Sequence, residues 1–296
     1  MCFFWGTTYI AIRIGVRATP PFLFSSVRFL LAGTVLLLFA LNRGAKWPGA
    51  REWRVLALVS FFLLGIGNGV LTWAEQWVPV GIASLIVVAT PFWLVFFARL
   101  SGERVRLRAV GGLLVGFAGL AVLLLPDISS GGLGAGFTVG AVALVFGSAA
   151  WAFGSIYAKN NKPSTDPIMV IALQKILASL YQGVFGLCIG EASRWRLPVE
   201  SVWAVLFLAV FGSIVGYTAY MYALEHLPTA QVSVYAYVNP LVAVLLGFLL
   251  LGEHIGMHVL FGAPLILYGI YMVNTARAQT PVRSAVPAAG SLTPGS

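Results

Sequence analysis

Ten stretches of roughly 20 mostly apolar residues, separated by short clusters of charge or by turn residues, follow one another along this chain. They fall near residues 1–18, 21–42, 54–74, 80–99, 109–126, 137–158, 167–189, 201–223, 229–251 and 256–276. A helix of about that length crosses the hydrocarbon core of a bilayer and satisfies its own backbone hydrogen bonds there. The expectation is therefore an all-α polytopic membrane protein with ten transmembrane spans. Composition agrees: 59% hydrophobic and 9% charged residues cannot clothe a water-soluble surface.

The formal charge of +9 does not mark a nucleic-acid partner, because Lys and Arg lie in short clusters between the spans instead of on one patch. Their distribution orients the chain. With a cytoplasmic N-terminus, Arg43, Lys46, Arg51, Arg54, Arg99, Arg104, Arg106, Arg108, Lys159, Lys162, Arg277 and Arg283 fall inside, and only Arg13, Arg17, Arg194 and Arg196 fall outside. The positive-inside rule then places both termini in the cytoplasm. Arg28 and Lys175 are left within spans. Arg13 leaves only twelve uncharged residues before it, so either Arg13 snorkels outward or, the reading favoured, the start is truncated or misassigned. The opening residues lack the features of a signal peptide. Cys2 and Cys188 have no partner spacing, so neither a disulfide framework nor a metal site is implied. Residues 277–296 have the composition of a disordered cytoplasmic tail.

Sliding the chain over itself pairs Trp5 with Trp151, Arg13 with Lys159, Pro21 with Pro167 and Arg28 with Gln174, each 146 residues apart. Pro79 meets Pro228 and Pro91 meets Pro240 at 149, and Glu103 meets Glu253 at 150, each glutamate preceded by glycine. One unit is thus present twice, over 1–126 and 137–276, joined by a loop at 127–136. Each unit holds five spans, an odd number, so the second enters the membrane from the opposite side. Inverted repeats of this kind hold a substrate near the bilayer midplane and alternate its access by rocking one part against the other.

At these residues the chain resembles the EamA family of the drug/metabolite transporter superfamily, ten-helix inner-membrane transporters with two EamA units. The resemblance is carried by Trp5-Gly6-Thr7-Thr8, by the segment from Trp73 to Pro91, by Trp151-Ala152-Phe153-Gly154-Ser155, and by the segment from Phe211 to Gly247 with Gly252-Glu253 beyond it. It implies a bacterial inner-membrane transporter of amino acids or related metabolites. It also implies that spans 1, 3, 4, 6, 8 and 9 line a central cavity, with spans 5 and 10 peripheral.

Candidate site residues follow from helical spacing. On span 3, Asn68, Thr72, Glu75 and Gln76 share a face, a polar stripe that lipid would penalise. Span 8 repeats the pattern with Ser213, Tyr217 and Tyr220, and span 9 with Gln231, Tyr235 and Asn239. Trp5 and Trp151 occupy corresponding spans, with Tyr9 and Ser155 one turn on. These groups are read as lining a cavity for an amphipathic solute, although such side chains also serve as plain interhelical hydrogen bonds. Arg28 and Lys175 lie deep enough to bind a carboxylate or phosphate, but an interhelical hydrogen bond or snorkelling is the reading favoured. Glu75, near the outer end of span 3, is the one acid that could titrate with transport if desolvated, and a wetted rim residue would look the same in sequence. Glu103 and Glu253 are expected to cap the following helix. Pro91 and Pro240 can kink their helices and act as hinges or gates.

Among rival functions, a membrane-embedded enzyme would need a motif such as HExxH, GxSxG or paired intramembrane aspartates, and none is present. His254 and His258 lack an intervening metalloprotease glutamate. No cofactor is implied. An exchanger of phosphorylated metabolites or nucleotide sugars would present several cavity cations, and only Arg28 and Lys175 are available, which leans the expectation toward a zwitterionic or weakly charged solute. A membrane-embedded assembly or scaffold role explains neither the polar stripes nor the symmetry. The partners expected are a small-molecule solute and the lipid bilayer.

Overall fold

The computed structural model describes residues 2–87, 89–100, 107–130, 134–226, 235–253 and 256–278, and every described element is helical. Span 1 is α1 (Cys2–Val16), span 2 is α2 (Pro21–Asn42) and span 3 is α3 (Ala50–Ala74). Span 4 comprises α4 (Val80–Val87) and α5 (Thr90–Leu100), and span 5 is α6 (Leu107–Ser130). The second unit repeats the order with α7 (Gly134–Asn160), α8 (Pro167–Cys188), α9 (Val199–His226), α10 (Tyr235–Leu251) and α11 (Met257–Ala278). Pro21 and Pro167 open α2 and α8 at a position that needs no backbone N–H. The chain is a helical polytopic membrane protein of two repeats.

Contacts between the repeats show how the two copies meet. Helix α2 packs on its counterpart α8, and α6 on its counterpart α11, while α1 packs on α9 and α10 as α7 packs on α3, α4 and α5. Small residues make the two counterpart pairs close. A methyl on Gly33 would come 3.1 Å from the Ala172 carbonyl oxygen, and Ser26 donates to the Ser179 carbonyl at 2.9 Å. Those are one contact seen twice, because Ser26 and Ala172, like Gly33 and Ser179, are 146 residues apart. The partner's number falls as the first rises, so α2 and α8 run antiparallel. In the same way Gly119 faces Gly262 and Gly112 faces Gly269, where an added methyl would approach backbone oxygen at 3.0 and 2.7 Å. Close backbone approach through glycine replaces the hydrophobic drive that lipid removes.

Span 4 is interrupted between Val87 and Thr90, and Pro91 is the second residue of α5, where its missing N–H costs nothing. The Thr90 hydroxyl donates to the Val87 carbonyl at 2.7 Å, occupying an acceptor left by the break. Pro240 lies inside α10, which continues through it. The symmetric kinks expected from sequence are thus a break in the first copy and an unbroken helix in the second.

Helix N-termini are capped from the other repeat. The Glu191 carboxylate accepts from the Phe22 and Leu23 amides of α2 at 3.3 and 2.8 Å. Glu253 accepts from the Val80 and Gly81 amides of α4 at 2.7 and 3.1 Å, instead of capping the helix that follows it. Glu52 accepts from the Ser164 and Thr165 amides just before α8 at 2.6 and 3.2 Å, beside Asp166, which caps α8 itself. Carboxylates suit the positive helix ends. Glu103 lies outside the described residues. Arg13 neither snorkels nor stays unbonded: its guanidinium donates to the Glu75 carbonyl at the C-terminal end of α3.

Candidate functional site

Both α3 and α9 contain a π-helical stretch, Phe61–Asn68 in the first and Leu208–Gly216 in the second. The wider turn leaves backbone groups short of partners, and such segments recur at functional sites. Here side chains reach in. The Gln182 amide donates to the Leu64 carbonyl at 2.6 Å, and the Trp5 indole donates to the Gly212 carbonyl at 3.4 Å, at positions 148 residues apart.

A chamber lies between these stretches. Its walls are Trp5, Thr8 and Tyr9 of α1; Arg28 and Phe29 of α2; Leu64, Gly67, Asn68 and Leu71 of α3; and Val87 and Thr90 at the break in span 4. The second repeat adds Leu144, Gly147, Ser148 and Trp151 of α7, Lys175 of α8, Gly212 and Tyr217 of α9, and Asn239 of α10. About 70 Å³ is free inside, far under the roughly 300 Å³ at which enclosed ligand sites begin. As it stands the chamber has no room for an organic solute of ordinary size.

One wall is aromatic. The Trp5 and Trp151 rings meet edge to face with centroids 5.8 Å apart, and Tyr220 packs against both at 5.1 and 5.6 Å. The Trp151 indole donates to the Tyr220 hydroxyl at 3.2 Å, and Ser155 shares a hydrogen bond with that hydroxyl at 2.8 Å. Close approach is required here. A methyl on Gly216 would run into the Trp5 indole nitrogen.

Beside the aromatic wall, across Tyr217 and Gly212, lie two cations. Arg28 is buried, donates through Nε to Ser213 Oγ at 2.9 Å, and lies over the Phe29 ring at 4.7 Å. Lys175 is fully buried, with its ammonium 4.0 Å from the Tyr217 ring centre and 5.3 Å from that of Phe29. The Tyr217 hydroxyl donates to Gln174 Oε1 at 2.9 Å, so its ring face meets the lysine. Arg28 Nη1, Lys175 Nζ and Asn239 Oδ1 are buried with no hydrogen-bond partner among the described residues. Neither cation snorkels.

Of the residues singled out by spacing, Trp5, Tyr9, Asn68, Trp151, Tyr217 and Asn239 line the chamber, together with Arg28 and Lys175. Ser155 and Tyr220 stand behind Trp151 as its support. The span 3 stripe does not continue inward as one face. Thr72 bonds its hydroxyl back to the Asn68 carbonyl at 2.9 Å, and Gln76 lies past the end of α3, where its amide donates to the Trp73 carbonyl. Glu75 is fully buried at that same end with neither carboxylate oxygen bonded among the described residues, and it is not a chamber wall. Gln231 lies outside the described residues. Tyr235 opens α10, and Pro91 and Pro240 are buried in α5 and α10. Spacing missed Thr8, Thr90 and Ser148. Thr8 and Ser148 sit three residues from Trp5 and Trp151, a turn that helical periodicity could have supplied. Spans 2 and 7 also join the lining, because their cations reach inward.

Two inverted repeats around a shared, mostly apolar chamber with a few polar groups define a helical membrane protein of the secondary-transporter class. The EamA-like transporter family matches residues 1–125 and again 138–275, and the chain belongs to that family. It is 38% identical over 285 residues to the uncharacterized inner membrane transporter YedA of Escherichia coli (strain K12), covering 95% of this chain and 90% of that one. It is 29% identical over 273 residues to the uncharacterized transporter YvbV of Bacillus subtilis (strain 168), with 92% and 88% covered. A crystal structure at 22% identity shares the fold, with a TM-score of 0.68 over 94% of both chains. The chain is accordingly a membrane-embedded transporter of a small solute.

Proposed function

We propose that this chain is a bacterial inner-membrane exporter or exchanger of amino acids or related small metabolites, working by alternating access. One observation carries the reading: the chamber takes its walls from both repeats, so rocking one against the other would open it to either side in turn. Trp5, Tyr9, Trp151 and Tyr217 present ring faces for an organic side chain, and Asn68 and Asn239 present amides. The small free volume fits a form that must expand to admit solute. Pro91 and Pro240 serve as hinges on opposite repeats, and the ends bearing the Lys and Arg clusters face the cytoplasm, with both termini there. Phosphorylated metabolites are the second reading, favoured by the two cations at one wall.

Counterflow in proteoliposomes with a panel of labelled amino acids and phosphorylated metabolites tests this. The expected result is exchange of at least one amino acid, lost in Trp151→Ala and Asn239→Ala while both variants remain folded. Exchange only of phosphorylated compounds would replace the amino-acid reading with the second one.

A further inference from the structure

We propose that Arg28 and Lys175 together form the anion-binding pair of the chamber and grip a carboxylate of the transported solute. This deepens the transport reading and rests on it for the word "transported", though not for binding. Two cations buried within the membrane are costly, and such groups usually pair with an acid, with backbone carbonyls or with what passes through. No acid is hydrogen-bonded to either: among the described residues the ion pair is Lys162 with Glu225, both exposed and away from the chamber. The buried Glu75 is near enough for its charge to act on Arg28 but bonds neither cation, and the charged neighbour of Lys175 is Arg28 itself.

What holds the cations also leaves them available. Ser213 takes Arg28 Nε at 2.9 Å and fixes the guanidinium plane, yet Nη1 has no acceptor. Lys175 is held by ring faces alone, Tyr217 at 4.0 Å and Phe29 at 5.3 Å, and a ring face positions an ammonium without accepting its three hydrogens in line. The Tyr217 hydroxyl is spent on Gln174. Arg28 lies over the same Phe29 ring, so one aromatic residue anchors both charges. Ser213 and Tyr217 sit a turn apart on α9, so a movement of that helix would shift both grips together.

The occupant is a carboxylate on the match of groups: the open Arg28 Nη1 and the Lys175 ammonium can each take one of its two oxygens. A guanidinium edge and one ammonium match two oxygens, whereas a phosphate monoester offers three strong acceptors and up to two charges. The remaining wall is mostly aromatic and aliphatic, suited to the body of an organic acid.

The test uses the full chain, purified in detergent for binding and reconstituted for counterflow. The ligands are 3-phenylpropanoate, 3-phenylpropanamide and 3-phenylpropyl phosphate, which share an aromatic body and end in a carboxylate, a carboxamide or a phosphate. Binding is read as the shift in thermal unfolding midpoint. The carboxylate is expected to bind at least about tenfold more tightly than the carboxamide, and Lys175→Gln to weaken it about tenfold without weakening the carboxamide. Ser213→Ala, which leaves the guanidinium in place but unanchored, guards against misfolding of an Arg28 variant and is expected to weaken the carboxylate alone. Equal binding of carboxylate and carboxamide, or phosphate preferred tenfold, overturns the proposal while leaving transport intact. Carboxylate-selective binding without counterflow supports the pair and overturns the transport reading instead. Neither binding nor flux for any ligand overturns both.

Discussion

The two counterpart pairs, α2 with α8 and α6 with α11, are built by the same symmetry and carry opposite chemistry. Both run antiparallel across the repeat interface, and both come close through small residues. In α6 with α11 the contact is glycine against backbone, with Ile266 and Ile270 fully buried beside it. In α2 with α8 the contact includes Ser26 and Ser179, and a few residues away the same helices bury Arg28, Gln174 and Lys175. Packing alone is therefore satisfied by apolar residues in this fold. The polar load of α2 and α8 has another cause, and the chamber that both helices help to wall supplies it.

If that division is sound, the two pairs should fail in different ways. Gly269→Leu would drive a side chain into the Gly112 carbonyl, and the expected cost is about 3 kcal/mol, seen as aggregation on size exclusion or a lower unfolding midpoint. Gly216→Ala should displace the Trp5 indole with about 1 kcal/mol of destabilisation but a larger loss of transport, measured as counterflow per folded protein. Glu253→Ala uncaps α4 and should lower stability by about 1 kcal/mol, measured by thermal unfolding, with solute selectivity unchanged. Ser26→Ala removes the hydrogen bonds of that hydroxyl to the Ser179 carbonyl and hydroxyl on α8 and should cost about 0.6 to 1 kcal/mol by the same assay. A transport defect in Gly269→Leu protein that is fully stable would erase the distinction.

Span number and repeat were legible because the bilayer dictates segment length and because Trp, Pro and Gly-Glu landmarks recur at nearly constant shift. Which helices pair across the interface was not, since glycine contacts leave no periodic signature beyond small residues. The site was legible where polar and aromatic groups kept helical spacing within a span, as at Trp5 and Tyr9 of α1. It failed for Gln76 because the helix ends at Ala74, and for Thr72 because the hydroxyl turns to its own backbone. The two π-helical stretches change the local period, and nothing in a 3.6-residue reading announces them. Arg28 and Lys175 looked alike in sequence, but only coordinates separate a cation bonded to Ser213 from one resting on rings.

The most direct test of solute passage through the chamber is accessibility at Ser148, a buried wall residue of α7. Ser148→Cys, in a background with Cys2 and Cys188 changed to Ser, would be labelled in oriented vesicles by a membrane-impermeant thiol reagent applied from each side. Labelling from both sides, slowed from both by the exchanged solute, is the predicted result. Labelling from one side only, or a rate that the solute leaves unchanged, would contradict alternating access through this chamber.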